Sequence, residues 1–329
     1  MTEEAEAGGT RAGHVALVGR PNVGKSTLLN ALVGEKLSIV TPKAQTTRET
    51  VTGILTTDRA QAIFVDTPGL LEPTYALQRA MQESALEVLA DADIVLLLLD
   101  GTRPEDVPAA SVVEVLRRKT SPMIVLINKI DAATSDAVEA LRAWSRTELG
   151  LEPREVSAAA GTGIDALRAD LEACLPESPF YYPADDMAVQ PVRFFVAELI
   201  RETIFETYEQ EVPYASIARV EEFREGEDPV YIRATIYVER ESQKPILIGK
   251  GGAGIRELGR RSREKIEAFI GRPVYLDLWI KALPNWRTKL ATLRYLGYRL
   301  PPSLDAEVQG PKGRRARSRR RAQEDTRGD

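Results

Sequence analysis

GRPNVGKS, residues 19–26, is the stretch on which the fold turns. It fits Gly-x-x-x-x-Gly-Lys-Ser in full, follows the apolar run HVALV and opens the amphipathic run TLLNALVG. Strand, glycine loop and helix in that order are what a phosphate-cradling loop requires. Gly19 and Gly24 let the backbone turn its amides toward a β-phosphate, helped by the partial positive charge of the helix N-terminus. Residues Asn22, Val23, Gly24, Lys25, Ser26 and Thr27 are the expected contacts. Among them Lys25 can bridge β- and γ-phosphates, and Ser26 can ligate Mg²⁺.

Working outward, the first half alternates short apolar runs with longer amphipathic ones. HVALVG (14–19), QAIFVD (61–66), IVLLLLD (94–100) and MIVLIN (123–128) are buried-strand candidates, separated by helical stretches such as YALQRAMQESALEVLA and VEALRAWSRTEL. Such alternation predicts a mostly parallel sheet covered on both faces, with ligands at the carboxyl ends of the strands. Three more segments sit at those ends. DTPG (66–69) offers Asp66 to Mg²⁺ and the Gly69 amide to a γ-phosphate. NKID (128–131) offers Asn128 and Asp131 as the pair that accepts guanine, with Lys129 over the base. VSAAAG (156–161) offers a loop amide near Ser157, Ala158 and Ala159 to the guanine oxygen.

The set resembles the translation-factor-related GTPases of the Ras-like superfamily over residues 14–175. That resemblance makes KAQTTRETVTGI (43–54) the first switch. Thr47 is the choice for the threonine that ligates Mg²⁺ and senses the γ-phosphate, with Thr46 its rival; Lys25, Thr47 and Gly69 then form the catalytic set. Leu70 stands where Ras-type enzymes carry a water-orienting glutamine, so slow unaided hydrolysis is implied. Asn22 matches the asparagine of potassium-activated relatives, which implies a K⁺ ion beside the phosphates.

LPESPFYYPADD (175–186) breaks the rhythm, and a boundary is placed there. A helix, two strands, ILIGKGG, a basic helix and a third strand follow, an α+β module. GKGG (249–252) is too short to wrap a triphosphate and lacks a following Ser or Thr. It fits the Gly-x-x-Gly loop of KH domains, which grips a nucleic-acid backbone. Gly249, Lys250, Gly251 and Gly252 would meet phosphate, and Ile246, Leu247 and Ile248 would floor the groove beside the bases. Arg256, Arg260, Arg261, Arg263 and Lys265 would line it with charge. The element order is that of the type II KH fold. Trp286, in IKALPNWRTK, is a further candidate contact. The divisions expected are a tail over 1–13, a GTPase domain over 14–178, a linker over 179–187, a KH domain over 188–300 and a basic disordered tail over 301–329.

A Ras-like domain joined to a type II KH domain resembles the bacterial Era GTPases, from His14 to about Tyr298, through KAQTTR, RFFVAELIRETIFETYEQEVPYASIARVEEF and ILIGKGG. The resemblance implies GTP and GDP as substrate and product, Mg²⁺, and binding near the 3′ end of 16S rRNA in assembly of the 30S subunit. Peripheral contact with the inner membrane surface is a further expectation, carried by the basic tail, whose arginines would meet anionic lipid as they would RNA, and a monomer is expected. Competing readings are a GTPase of tRNA modification or of large-subunit assembly, or an RNA-binding adaptor with a dead pocket. The first would end in a functional cysteine, the second would need two GTPase modules, and the third would not keep Lys25, Ser26, Asp66 and Asp131.

Composition is consistent with this. The 329 residues include one cysteine, Cys174, read as a buried small hydrophobe; disulfides within the chain are excluded and a cytoplasmic setting is implied. IVLLLL is far short of the roughly 20 residues of a membrane span. Residues 1–180 carry 17 Lys+Arg against 26 Asp+Glu, and residues 181–329 carry 27 against 23. PKGRRARSRRR (311–321) packs seven cations into eleven residues. A polyanion is expected to meet the second half alone.

Overall fold

Every residue of Ile94–Asp100 is buried, and this strand, β4, is the centre of the first domain. Alternate side chains serve opposite faces. Ile94, Leu96 and Leu98 join one apolar cluster, and Val95, Leu97 and Leu99 join another. A strand buried on both faces reads as an unbroken apolar run, which is why period-two alternation is absent here.

The computed structural model describes residues 9–308 apart from positions 42, 44, 45 and 71. In chain order the first domain comprises β1 (Arg11–Gly19), α1 (Lys25–Val33), β2 (Val51–Thr56), β3 (Ala60–Asp66), α2 (Ala76–Asp91), β4 and α3 (Ala110–Arg117). Then come β5 (Met123–Asn128), α4 (Ser135–Leu149), β6 (Arg154–Glu155) and α5 (Ile164–Cys174). The sheet order is β2-β3-β1-β4-β5-β6, parallel throughout except for the β2–β3 pair. Leu28, Leu29 and Leu32 of α1 and Leu167 and Leu171 of α5 cover one face; Leu89 of α2, Leu116 of α3 and Leu141 of α4 cover the other. Each such leucine contributes about 1.5–3 kcal/mol by leaving water.

The second domain has α6 (Val192–Thr207), the one-turn α7 (Val212–Ala215), β7 (Ser216–Arg224), β8 (Val230–Val238), α8 (Lys244–Ile248), α9 (Ala253–Ile270), β9 (Val274–Ala282) and α10 (Leu290–Leu296). Its sheet runs β7-β8-β9, with β7 and β8 antiparallel and β8 and β9 parallel. Val196, Ile200 and Ile204 of α6 and Leu258 and Ile266 of α9 pack on Ile232, Ala234 and Ile236 of β8.

Several expectations are corrected. Residues 51–56 are an antiparallel edge strand, not switch loop alone. Cys174 is exposed, because it is the last residue of α5, and Leu171 and Leu175 take the inward positions. The tail does not begin at 301. Residues 302–308 are helical, with Leu304 buried against Met81 and Leu296, and Glu307 pairs with Arg79 of α2 at 3.0 Å. PKGRRARSRRR lies outside the described residues. Within them, no helix is long and apolar enough to cross a membrane.

Candidate nucleotide pocket and RNA groove

The carboxyl ends of β1, β3 and β5 bring the first loop, Asp66 and Asn128 to one edge of the sheet. Between them opens a cleft of about 340 Å³ whose lining includes Asn22, Gly24, Lys25, Ser26, Thr27, Thr47, Gly69 and Lys129. Lys25 is 6% exposed; its Nζ reaches back to the carbonyls of Arg20 (2.9 Å) and Gly19 (3.2 Å). Burial, only partly offset by Asp66, lowers its pKa to about 8. An arriving phosphate would restore the charge that burial disfavours. Gly24 has φ +98°, and a Cβ there would sit 2.3 Å from Asn128 Nδ2, so the loop closes only with glycine.

Asp66 is fully buried, and burial raises its pKa. Its Oδ2 accepts from Ser26 Oγ at 2.7 Å, Ser38 Oγ at 3.0 Å and Thr47 Oγ1 at 3.3 Å. Its Oδ1 has no hydrogen-bond partner among the described residues. An orphaned buried carboxylate oxygen beside two hydroxyls is a hard-oxygen donor set, and it fits Mg²⁺. Thr47 Oγ1 also lies 2.9 Å from Ser26 Oγ, whereas Thr46 Oγ1 donates to Lys43 O at 2.7 Å. Of the two threonines, Thr47 is the one brought to the site. Leu70 is 8% exposed and packs into the apolar cluster under α2.

On the base side, Asn128 is a staple. Its Nδ2 donates to Val23 O at 2.8 Å, and its Oδ1 accepts from Ala158 N at 3.0 Å, tying three loops together. The Ala158 amide expected at the guanine oxygen is spent on Asn128 Oδ1, whereas Asn128 Nδ2 keeps a second N–H beyond the one given to Val23 O, so its expected contact with guanine is compatible with the staple. Asp131 Oδ1 accepts from Ser157 Oγ at 2.5 Å. Lys129, at φ +64°, ties its Nζ to Asp100 Oδ2 at 2.6 Å and leaves its stem on the cleft wall. Sequence reasoning missed Asp100. Its place at the end of β4, level with Asn128 in the β4–β5 register, was the available signal.

In the second domain the glycine loop follows α8 and precedes α9. Ile246 and Ile248 are 49% and 36% exposed, but Leu247 is fully buried in the core. Three successive residues of a helical turn cannot all face one way, so Leu247 is struck from the groove. Lys250 is exposed, and Arg256 donates to Gly251 O at 3.0 Å. A groove of about 400 Å³ runs from there between α9 and β9, walled by Ile255, Arg256, Arg260, Arg263, Tyr275, Leu276 and Leu278. The three β9 residues were missed, since nothing local marks which face of an edge strand a helix will leave open.

The comparisons with known proteins now bear on this geometry. A family model described as 50S ribosome-binding GTPase matches residues 14–129, and a KH domain model matches residues 211–287. GTPase Era of Afipia carboxidovorans is 41% identical over 300 residues, covering 91% of this chain and 97% of that one. The chain belongs to the Era GTPase family. A single-substitution variant of Aquifex aeolicus Era bound to GDP·AlF4⁻ superposes with a TM-score of 0.81 and 38% identity, over 88% of this chain and all of that one. Era in complex with MgGDPNP and nucleotides 1506–1542 of 16S ribosomal RNA does so with 0.81 and 37%, at the same coverages. As an Era GTPase the chain has a Ras-like domain followed by a KH domain, and it uses GTP, GDP and Mg²⁺.

Seen as an Era groove, the α9 side carries less free charge than the sequence suggests. Arg260 is held by Glu257 and Glu264 at 2.6 Å each. Arg261 and Lys265 turn away to Glu206 on α6. Trp286 is also corrected: it is 0% exposed, donates from Nε1 to Ala215 O at 2.8 Å and stacks on Tyr298. It belongs to the contact between the Era domains rather than to an RNA surface.

Proposed function

We propose that this chain is a slow GTPase that grips single-stranded RNA at the 3′ end of 16S rRNA and assists 30S subunit assembly, with nucleotide state controlling the grip. What supports this most is the pairing, in one chain, of a triphosphate-sized pocket with an RNA groove, in the arrangement of an Era whose complex contains that RNA segment.

The roles follow from the placements. Lys25 would bridge the β- and γ-phosphates, the Gly69 amide would meet the γ-phosphate, and Ser26, Thr47 and Asp66 would hold Mg²⁺. The metal supplies positive charge against that developing on the phosphoryl oxygens. Asp131, steadied by Ser157, would accept the N1 and N2 protons of guanine. The Lys129 stem would cover the base, and Ala159, exposed next to the buried Ala158, would offer its amide to the guanine oxygen. With Leu70 buried and apolar, no side chain at that position can orient the attacking water, so turnover is slow. Asn22, exposed at φ +64° on the cleft rim, would seat K⁺.

In the KH domain Gly249, Lys250, Gly251 and Gly252 would follow the RNA backbone. Ile246, Ile248, Leu276 and Leu278 would meet the bases, and Arg256 and Arg260 the phosphates. Crosslinking in cells with GTP-locked protein, followed by sequencing of the bound RNA, tests this. Reads concentrated at the 3′ end of 16S rRNA are expected; reads concentrated on 23S rRNA or tRNA would turn the assignment to the competing readings.

A further inference from the structure

The residue after Thr47 leaves the GTPase domain altogether. Arg48 is 6% exposed, and its guanidinium enters the KH domain, where Nη1 donates to Ser216 O at 2.7 Å. Its Nη2 donates to Pro213 O at 3.1 Å and Tyr214 O at 2.9 Å. The ring centroids of Trp286 and Phe205 lie 5.6 and 6.0 Å from it. Upstream, Lys43 Nζ donates to the carbonyls of Phe205 and Tyr208 at the C-terminal end of α6, 2.5 Å each, where a cation also meets the negative end of the helix dipole. The Tyr208 hydroxyl then donates to Leu247 O at 3.1 Å. Leu247 stands two residues before Gly249, whose amide is fixed to Pro245 O at 2.9 Å.

Two sets of bonds therefore tie the switch to the second domain: Arg48 to the carbonyls of residues 213–216, and Lys43, whose carbonyl accepts from Thr46 Oγ1 at 2.7 Å, to Tyr208 and through it to Leu247 at the edge of the second loop. If the switch withdraws, a buried guanidinium and the carbonyls of Pro213, Tyr214 and Ser216 lose each other, an arrangement tolerated only when both sides reach water. Partial withdrawal gains nothing.

We propose that Arg48, backed by Lys43 and Tyr208, is a positioning residue for GTP hydrolysis: the KH domain holds Thr47 against the first loop. Occupancy of the Gly249–Gly252 loop is read back along the same bonds. The inference rests on the functional reading above and names the residues that carry its regulation. Because coupling free energy is reciprocal, whatever RNA gains from bound GTP, GTP gains from bound RNA.

The experiment uses the full chain, wild type, Arg48→Ala and Tyr208→Phe. It measures kcat and KM for GTP, and the Kd for a 16S 3′-end oligonucleotide with GDP and with a non-hydrolysable GTP analogue. For Arg48→Ala, kcat is expected to fall at least tenfold with KM within twofold, and the ratio of the two RNA Kd values to approach one. Tyr208→Phe loses a single hydroxyl at the far end of the line, so its fold is not at risk. It is expected to lower the ratio at least threefold. Wild-type ratios retained in both variants overturn the proposal while leaving the functional reading intact. A wild-type chain that binds the oligonucleotide equally in both states overturns the coupling, and the relay with it.

Discussion

Two glycine loops present a lysine at the start of a helix, and they differ in how much protein surrounds it. Lys25 is buried and bonded to its own loop, and a Cβ on neighbouring Gly24 would strike Asn128. Lys250 is exposed, and although a Cβ on Gly249 would strike Gly254 N at 2.6 Å, one on Gly251 would meet nothing within 4 Å. The first loop lines a cleft walled by strand ends and by the switch, as suits a small anion that must be desolvated for charge stabilisation to count. The second lies open beside a groove, as suits a polymer that must enter and leave along its length. The proposed division of phosphates between the two loops thus rests on enclosure rather than on charge.

The comparison breaks most decisively at Lys25. Lys25→Ala is expected to lower kcat/KM for GTP by about 10²- to 10³-fold, the loss typical of one preorganised donor, while RNA affinity of the nucleotide-free chain stays within twofold. Steady-state phosphate release and oligonucleotide titration check the two halves, and a parallel loss of RNA binding would mean the loops do not have separate ligands. The mirror experiment is Gly249→Ala. At φ 71° and ψ 172°, with Gly254 N 2.6 Å from the added Cβ, the loop must distort at a cost of about 1–3 kcal/mol. RNA affinity should drop about 10- to 100-fold, with RNA-free GTP turnover untouched. The smallest effect sharpens the first loop alone: turnover in K⁺ should exceed that in Na⁺ by about tenfold, equivalent to about 1.4 kcal/mol of barrier. Equal rates in both salts, together with indifference to Asn22→Asp, would remove the monovalent site.

Much of the architecture was legible in the sequence because its signals are local and redundant. GRPNVGKS, DTPG and NKID each end a strand with a buried apolar run, and their order alone implies the parallel sheet. The antiparallel β2 was hidden because residues 43–54 carry switch and strand signals in one run. Leu247 and Trp286 were misread for the opposite reason. Each sits among residues that do suit RNA, and only the fold reveals that Leu247 fills the core and Trp286 caps Ala215. Arg48 had no distinguishing signal at all. One arginine among many in a loop becomes special only when its three carbonyl acceptors arrive from residues 213–216, about 165 positions away. Contacts made across domains are the part that spacing and periodicity do not encode.

The account stands on nucleotide state controlling the RNA groove, and fluorescence anisotropy of a labelled 16S 3′-end oligonucleotide measures that directly. Titrated with the full chain loaded with GDP or with MgGDPNP, it should report binding at least about fivefold tighter in the triphosphate state, the lower end of ordinary coupling energies. Identical curves for both nucleotides would contradict it.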